Sequence, residues 1–127
     1  MILILGGISS GRHAFLETLS IPPEQCHTIC ADDVRMYEEE SALYRKNHPG
    51  WHDSVPTALS AVCARLFSFQ AVIATEMGLG IVPLDKDARQ VREQNGRLNC
   101  ALASGADCVV LMECGIPRVI KGELFSE

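Results

Sequence analysis

The chain has 127 residues, of which 47% are hydrophobic and 6% aromatic, and its formal net charge is -5. This length suits one domain with a real core, so we treat residues 1–127 as a single domain. The acidic balance and the few aromatic rings argue against a nucleic-acid-binding protein. No apolar run reaches the roughly 18 residues of a membrane span, and no signal peptide is visible, so we expect a cytoplasmic protein with reduced cysteines.

Strands and helices alternate along the chain, which predicts an α/β fold with a mostly parallel sheet. The predicted strands lie at residues 1–5, 26–31, 71–75 and 108–112. The predicted helices lie at residues 12–19, 34–46, 56–67 and 86–103. Gly115-Ile116-Pro117 is read as the end of the last strand, and the tail from residue 121 as frayed.

A glycine-rich loop joins the first strand to the first helix. Gly6 and Gly11 bracket four residues, as in the first part of the phosphate-loop pattern G-x-x-x-x-G-K-[ST]. Such a loop lets backbone N–H groups converge on an anion at a helix N-terminus. The composition favours a phosphate loop and a plain turn equally. The candidate nucleotide-binding residues here are Gly6, Gly7, Ser9, Ser10, Gly11, Arg12 and His13.

The same loop fails the dinucleotide pattern G-x-G-x-x-G, because Ile8 occupies the middle glycine position. Asp32 and Asp33 follow at the distance of a ribose-binding acid, which keeps that interpretation as a minor alternative. A second candidate is Glu76, which directly follows the strand at 71–75 and opens a segment with two glycines and a proline. Ligands bind at the carboxyl ends of such strands, but a long turn shaped by its glycines explains the composition equally well.

Charged and metal-ligating residues elsewhere predict no metal centre. His48 and His52 are separated by Pro49-Gly50, which breaks the helix that would align them as zinc ligands. The acidic residues 38–40 are interpreted as a solvated helix face. In the helix at 86–103, the 3.6-residue period predicts a buried stripe that includes Val91 and Asn95, and Gly96 predicts close packing.

Four stretches carry a resemblance to a known family. They are MILILGGISSGR at 1–12, ATEMGLGIVP at 74–83, ARQVREQNGRLNCALASGAD at 88–107 and CVVLMECGIPRVIKG at 108–122. They resemble, in order, an opening strand with G-G-x-x-S-G-K-S, then S-N-E-V/M-G-x-G-I-V-P, A-R-x-[FY]-R-D-x-x-G-R-L-N-Q-x-L-A, and a closing G-[LI]-P-x-x-[LI]-K-G. The family is adenosylcobinamide kinase / adenosylcobinamide-phosphate guanylyltransferase.

The resemblance implies a three-layer P-loop NTPase (RecA-like) fold and a homo-oligomer, commonly a trimer. It also implies that the chain binds GTP or ATP and an adenosylcobinamide-type corrinoid. The family's kinase step phosphorylates the corrinoid's aminopropanol arm. Its second step transfers GMP from GTP onto that phosphate through a guanylylated histidine.

Several positions depart from the family pattern. Arg12 and His13 replace the loop's lysine and magnesium-binding serine, which puts Mg²⁺ binding in doubt because Mg²⁺ prefers oxygen ligands. Tyr44 stands at the guanylylated histidine position, and His48 is the nearest replacement and the candidate catalytic residue. No V-D-C-[LV]-T-x-W stretch occurs between residues 51 and 71, so the fold is shortened in the middle.

These departures lead to one hypothesis and two alternatives. The hypothesis is a degenerate family member with weak nucleotide binding and little transferase activity. The first alternative is an active kinase/nucleotidyltransferase of the same pathway that uses Arg12, Glu76 and His48. The second is a non-catalytic interaction subunit.

Overall fold

The computed structural model describes residues 1–7, 10–75 and 85–124. One five-stranded sheet runs in the order β2-β3-β1-β4-β5. The strands are β1 (Ile2–Gly6), β2 (Cys26–Thr28), β3 (Ala71–Thr75), β4 (Cys108–Glu113) and β5 (Ile116–Lys121). The helices are α1 (Arg12–Thr18), α2 (Ala31–Asn47), α3 (Ala61–Phe67) and α4 (Lys86–Gly105), with short 3₁₀ turns at Pro23–Gln25 and Thr57–Leu59. Among the described residues, no helix is long and apolar enough to cross a membrane.

The sheet is covered on both faces, which confirms the predicted three-layer α/β architecture. Successive strand residues point to opposite faces. In β1, Leu3 belongs to the core cluster that includes residues of α2, α3 and α4. Ile4 belongs to the cluster on the other face, where Phe15 and Leu16 of α1 pack. Both residues are fully buried, as expected of a parallel strand with helices on each side.

The shortened middle leaves the sheet continuous. β1 pairs in parallel with β3, with Ile2 opposite Ala71 and Gly6 opposite Thr75. It pairs on its other side with β4, again in parallel. The first and third strands therefore lie side by side, and the strand that the family pattern would place between residues 51 and 71 is not needed to close the sheet.

The C-terminal part of the sheet corrects one prediction. The chain does not end its pairing at Gly115-Ile116-Pro117, because β5 runs antiparallel to β4. Cys114 and Gly115 have φ of 51° and 77° and form the tight turn between the two strands. Two successive residues with positive φ are typical of a two-residue hairpin turn. Every residue of β5 is exposed, so the strand lacks the alternating burial that would have revealed it in the sequence.

Helix α2 begins three residues earlier than predicted, because Asp33 fixes its first turn. Asp33 is 2% exposed, and its carboxylate accepts hydrogen bonds from the Cys30 N–H at 3.0 Å and from Arg65. His27 Nε2 lies 2.8 Å from the same carboxylate. These partners outweigh the opposing effect of burial and lower the pKa of Asp33 to about 2. Asp33 is thus committed to anchoring α2, which leaves it unavailable as a ribose-binding acid.

The acidic residues of α2 are only in part a solvated face. Glu40 accepts hydrogen bonds from Ser60 Oγ at 2.8 Å and from the Ala61 N–H at 2.7 Å, so its charge caps the N-terminus of α3. Glu38 is half-buried and pairs with Arg97 of α4 at 2.8 Å. Only Glu39 is exposed, as the prediction required.

Two expectations about α4 are wrong. Val91 is 51% exposed, while the buried residues of the helix are Asn95, Leu98, Ala101 and Leu102. Gly96 has open space where a Cβ would be, whereas a Cβ on Gly105 would collide with the Phe67 ring. The close approach between helices is therefore at the end of α4.

All six cysteines are free thiols; Cys63 and Cys108 are buried, but Cys30, Cys100 and Cys114 are exposed.

Candidate functional site

The glycine loop lies at the carboxyl edge of the sheet, where β1 and β3 end side by side at Gly6 and Thr75. Ligands of parallel α/β sheets bind at this edge. Gly6 has no room for a side chain, since a Cβ there would collide with the Ser10 hydroxyl. Gly11 has φ of 92°, a left-handed conformation that favours glycine. Gly6 is therefore favoured by the close approach of Ser10, and Gly11 by its backbone conformation. Gly7, between them, has open space around it.

Ser10 turns its side chain back into the protein. Its hydroxyl lies against Gly6 and has no hydrogen-bond partner among the described residues. Its N–H donates to the Gly7 carbonyl at 3.3 Å, and its own carbonyl accepts from the Gly115 N–H at 2.9 Å. The β4–β5 turn thus braces the loop from the C-terminal side. A buried hydroxyl without a partner is uncommon and marks a position where polar contacts are incomplete.

Arg12 is the one cation that the loop places at this edge within the described residues. One of its guanidinium nitrogens, Nη1, donates to the Ala74 carbonyl at 2.9 Å and to Thr75 Oγ1 at 2.8 Å. Nε and Nη2 make no hydrogen bond in the described part of the chain. Partial burial lowers the pKa of Arg12, but a guanidinium stays protonated at neutral pH. Arg12 thus keeps its positive charge and two donors for an anion.

Thr75 connects the loop to helix α4. Its hydroxyl accepts from Arg12, and its carbonyl accepts from the side-chain amides of Asn95 at 2.7 Å and Asn99 at 3.0 Å. The Asn99 carbonyl oxygen is buried and has no partner among the described residues. Neither Thr75 nor Asn99 was predicted from the sequence as a site residue. A polar Asn95 within an apolar helical stripe was the one signal that could have directed attention to this edge.

A cleft of about 810 Å³ opens beside these residues, between α2 and α4. Thr75 and Asn95 line this cleft, and Thr75 also accepts a hydrogen bond from Arg12, so the cleft adjoins the Arg12 contacts. Ile29, Val34 and Val91 provide apolar surface. Glutamine and charged side chains supply polar groups, namely Gln90, Gln94, Asp32, Arg35, Glu38, Glu39 and Arg45. Such a combination suits a ring system that also makes a few hydrogen bonds.

The described residues do not fit a magnesium site of the type that the resemblance implies. His13, at the position of the magnesium-binding serine, is exposed and offers an imidazole nitrogen, whereas Mg²⁺ requires oxygen ligands. Across residues 1–7, 10–75 and 85–124, no three His, Cys, Asp or Glu side chains are placed to share a metal ion. Ser9 and Glu76, two of the predicted site residues, lie outside the described residues.

His48 is not close to this edge. Helix α2 starts beside the cleft, and its 17 residues span about 25 Å before His48 caps its far end. There the imidazole stacks on Tyr44 with ring centroids 3.9 Å apart, and Nδ1 lies 2.9 Å from the Tyr44 carbonyl. Trp51 meets the Tyr44 ring edge-on at 5.7 Å. The structure thus brings Gly6, Ser10, Gly11 and Arg12 together and leaves His48 apart from them.

The comparisons with known proteins agree with this architecture. The family model described as cobinamide kinase / cobinamide phosphate guanyltransferase matches residues 18–120. The chain belongs to this family. The matched residues begin at the last residue of α1, so the match does not extend over the glycine loop.

Two curated relatives carry the printed name bifunctional adenosylcobalamin biosynthesis protein CobU. The Salmonella typhimurium protein is 41% identical over 63 residues, and the Escherichia coli protein is 39% identical over 64 residues. Each alignment covers 50% of this chain and 35% of the relative. The matched stretch therefore spans about a third of the length of these curated relatives, and their complete activity does not carry over directly.

Proposed function

We propose that this chain is a nucleotide-binding member of the cobinamide kinase / guanyltransferase family that has little or no transferase activity. The observation that carries the proposal is the placement of Arg12. Its charged guanidinium stands at the carboxyl edge of the sheet, tethered to β3 at 2.8 Å, with two nitrogens left for an anion. The phosphates of GTP or ATP are the anions that family membership favours.

The nucleotide's base and ribose would occupy the cleft between α2 and α4. Thr75 supports this assignment because it both lines the cleft and binds Arg12. The apolar surface of Val34 and Val91 suits the face of a base, and the nearby amides offer hydrogen bonds to its edge. The glycine loop and the cleft would then form one continuous binding region.

We expect low transferase activity because of the charges and metal ligands that the loop around Arg12 offers. Positioning and charge neutralisation supply almost all of the acceleration in phosphoryl transfer. Arginine can neutralise part of the phosphate charge and bind two oxygens at once, but His13 offers a nitrogen where the family pattern has the magnesium-binding serine. We expect the rate to fall by several orders of magnitude relative to a complete site.

The covalent role of His48 stays a prediction, because the structure does not place His48 near the proposed phosphate-binding residues. A guanylylated histidine must reach the α-phosphate, whereas His48 caps the C-terminal end of α2, about 25 Å along the helix from its start beside the cleft. A corrinoid substrate and a homotrimer likewise rest on the family alone. Analytical ultracentrifugation of the purified chain tests the trimer directly.

A turnover assay tests the proposed function. The chain is incubated with adenosylcobinamide, GTP and MgCl₂, in parallel with the Salmonella relative, and corrinoid products are separated by chromatography. We expect no phosphorylated or guanylylated product above the enzyme-free control. Robust product formation would contradict the proposal, and a GMP adduct on His48 in mass spectrometry would support the active alternative.

A further inference from the structure

The contact between Arg12 and Thr75 joins two positions that both depart from the family pattern. Arg12 stands where the loop lysine would be, and Thr75 stands where the S-N-E segment has its asparagine. In the fold the two side chains meet, with Arg12 Nη1 2.8 Å from Thr75 Oγ1. A guanidinium is longer and more extended than an ammonium group, so it needs a fixed orientation to present its remaining donors.

We propose that Thr75 is a positioning residue that orients the Arg12 guanidinium toward a phosphate-bearing ligand. This inference rests on the proposed nucleotide binding. The Thr75 hydroxyl and the Ala74 carbonyl hold Nη1 from the β3 side, which leaves Nε and Nη2 for the ligand. These two nitrogens form one edge of the planar guanidinium, the edge that suits a pair of phosphate oxygens.

Thr75 is itself fixed by hydrogen bonds from helix α4, which makes it suitable for fixing Arg12. Its carbonyl accepts hydrogen bonds from Asn95 and Asn99 of α4, and β3 lies in the interior of the sheet. A side chain that is tethered before the ligand arrives loses less conformational entropy on binding. Thr75 therefore contributes to affinity through Arg12.

A double-mutant cycle with GTP as the probe tests this role. Dissociation constants are measured by calorimetry for the wild type, Thr75→Val, Arg12→Ala and the double variant. Valine keeps the branched shape of threonine and its suitability for a strand, and removes only the hydroxyl. We expect Thr75→Val to weaken GTP binding about tenfold in the wild-type background and by less than about twofold when Arg12 is absent.

Thr75→Ser is the matched control, since it keeps the hydroxyl, and its affinity should stay within about twofold of the wild type. Thermal unfolding of each variant confirms folding, and Thr75→Ala replaces Thr75→Val if the latter does not fold. An equal loss in both Arg12 backgrounds would show that Thr75 does not act through Arg12 and would overturn the inference. So would unchanged GTP affinity in Thr75→Val.

The proposed nucleotide binding and the positioning role of Thr75 can be tested separately. If the wild type binds GTP and the cycle shows no coupling, only the positioning role of Thr75 is wrong. If the wild type does not bind GTP at all, both the proposed nucleotide binding and the inference that rests on it are wrong.

Discussion

The two ends of helix α2 are held by different kinds of interaction. At its start, the buried Asp33 carboxylate joins Arg65, His27 and the Cys30 N–H at the edge where the glycine loop lies. At its far end, Tyr44 stacks on His48 and meets Trp51 edge-on, and Trp51 is 41% exposed. A buried charge network resists local opening more than exposed ring contacts do. The candidate phosphate-binding residues thus stand beside the better-anchored end, and His48 stands at the weaker one.

The largest expected effect in this comparison comes from removing the buried carboxylate. Asp33→Ala should lower the free energy of unfolding by about 3–5 kcal/mol, because it leaves Arg65 and the Cys30 N–H without their partner. Urea denaturation followed by circular dichroism measures it. The control is Asp32→Ala at the neighbouring exposed position, which should cost less than about 0.5 kcal/mol. Equal effects would mean that the buried network does not anchor α2.

Acid should reduce the stability that the Asp33 carboxylate gives to the start of α2. The pKa of Asp33 falls from 3.8 to about 2 in the folded chain, chiefly through its hydrogen bonds to Cys30, His27 and Arg65. A lowered folded-state pKa contributes stability that is present above pH 4 and is lost as pH falls through 2. The contribution is about 2 kcal/mol. Urea midpoints at pH 7, 4 and 2.5 should therefore converge between the wild type and Asp33→Asn as pH falls; a constant difference would contradict this.

A substitution of Glu40, in the middle of α2, should cause a loss of stability of intermediate size. Glu40→Gln should destabilise the fold by about 1.5 kcal/mol, since it weakens charge-assisted bonds to Ser60 Oγ and the Ala61 N–H. Glu39→Gln, on the adjacent exposed position, serves as the control with a change within about 0.5 kcal/mol. Thermal unfolding in low salt resolves the pair. If Glu39→Gln were the more harmful substitution, the capping role of Glu40 would be wrong.

The smallest effect is expected at the aromatic end. Trp51→Ala removes an edge-on contact with Tyr44 and the hydrogen bond from Nε1 to the Ser54 carbonyl, and should cost about 1 kcal/mol. Trp51→Phe, which keeps a ring, should cost less. A loss that exceeds that of Asp33→Ala would reverse the comparison between the two ends.

The sequence predicted those parts of the fold whose signals are local. The apolar runs of β1, β3 and β4 are buried from both faces, so composition alone located them. β5 was missed because an exposed edge strand needs no apolar pattern, and Pro117 looks like a strand breaker although it is tolerated at a sheet edge. The prediction of close packing at Gly96 was wrong because tertiary packing, which the local sequence does not show, sets a glycine's neighbours.

For the candidate site, the sequence located the loop but not its supports. The spacing of Gly6 and Gly11 is a local pattern; Gly6 lies too close to Ser10 for a side chain, and Gly11 has a left-handed backbone conformation. The contact between Arg12 and Thr75 spans 63 positions, so only the parallel pairing of β1 with β3 brings it about. His48 was selected by its nearness to a motif position, which says little about where the far end of a long helix lies.

We propose that this edge of the sheet binds a nucleotide without a magnesium site of its own. Calorimetric titration of GTP into the full chain, with MgCl₂ and with EDTA, tests this proposal. We expect binding in both conditions, with dissociation constants that differ by less than about threefold. Tightening of about tenfold or more with Mg²⁺, or no binding in either condition, would contradict it.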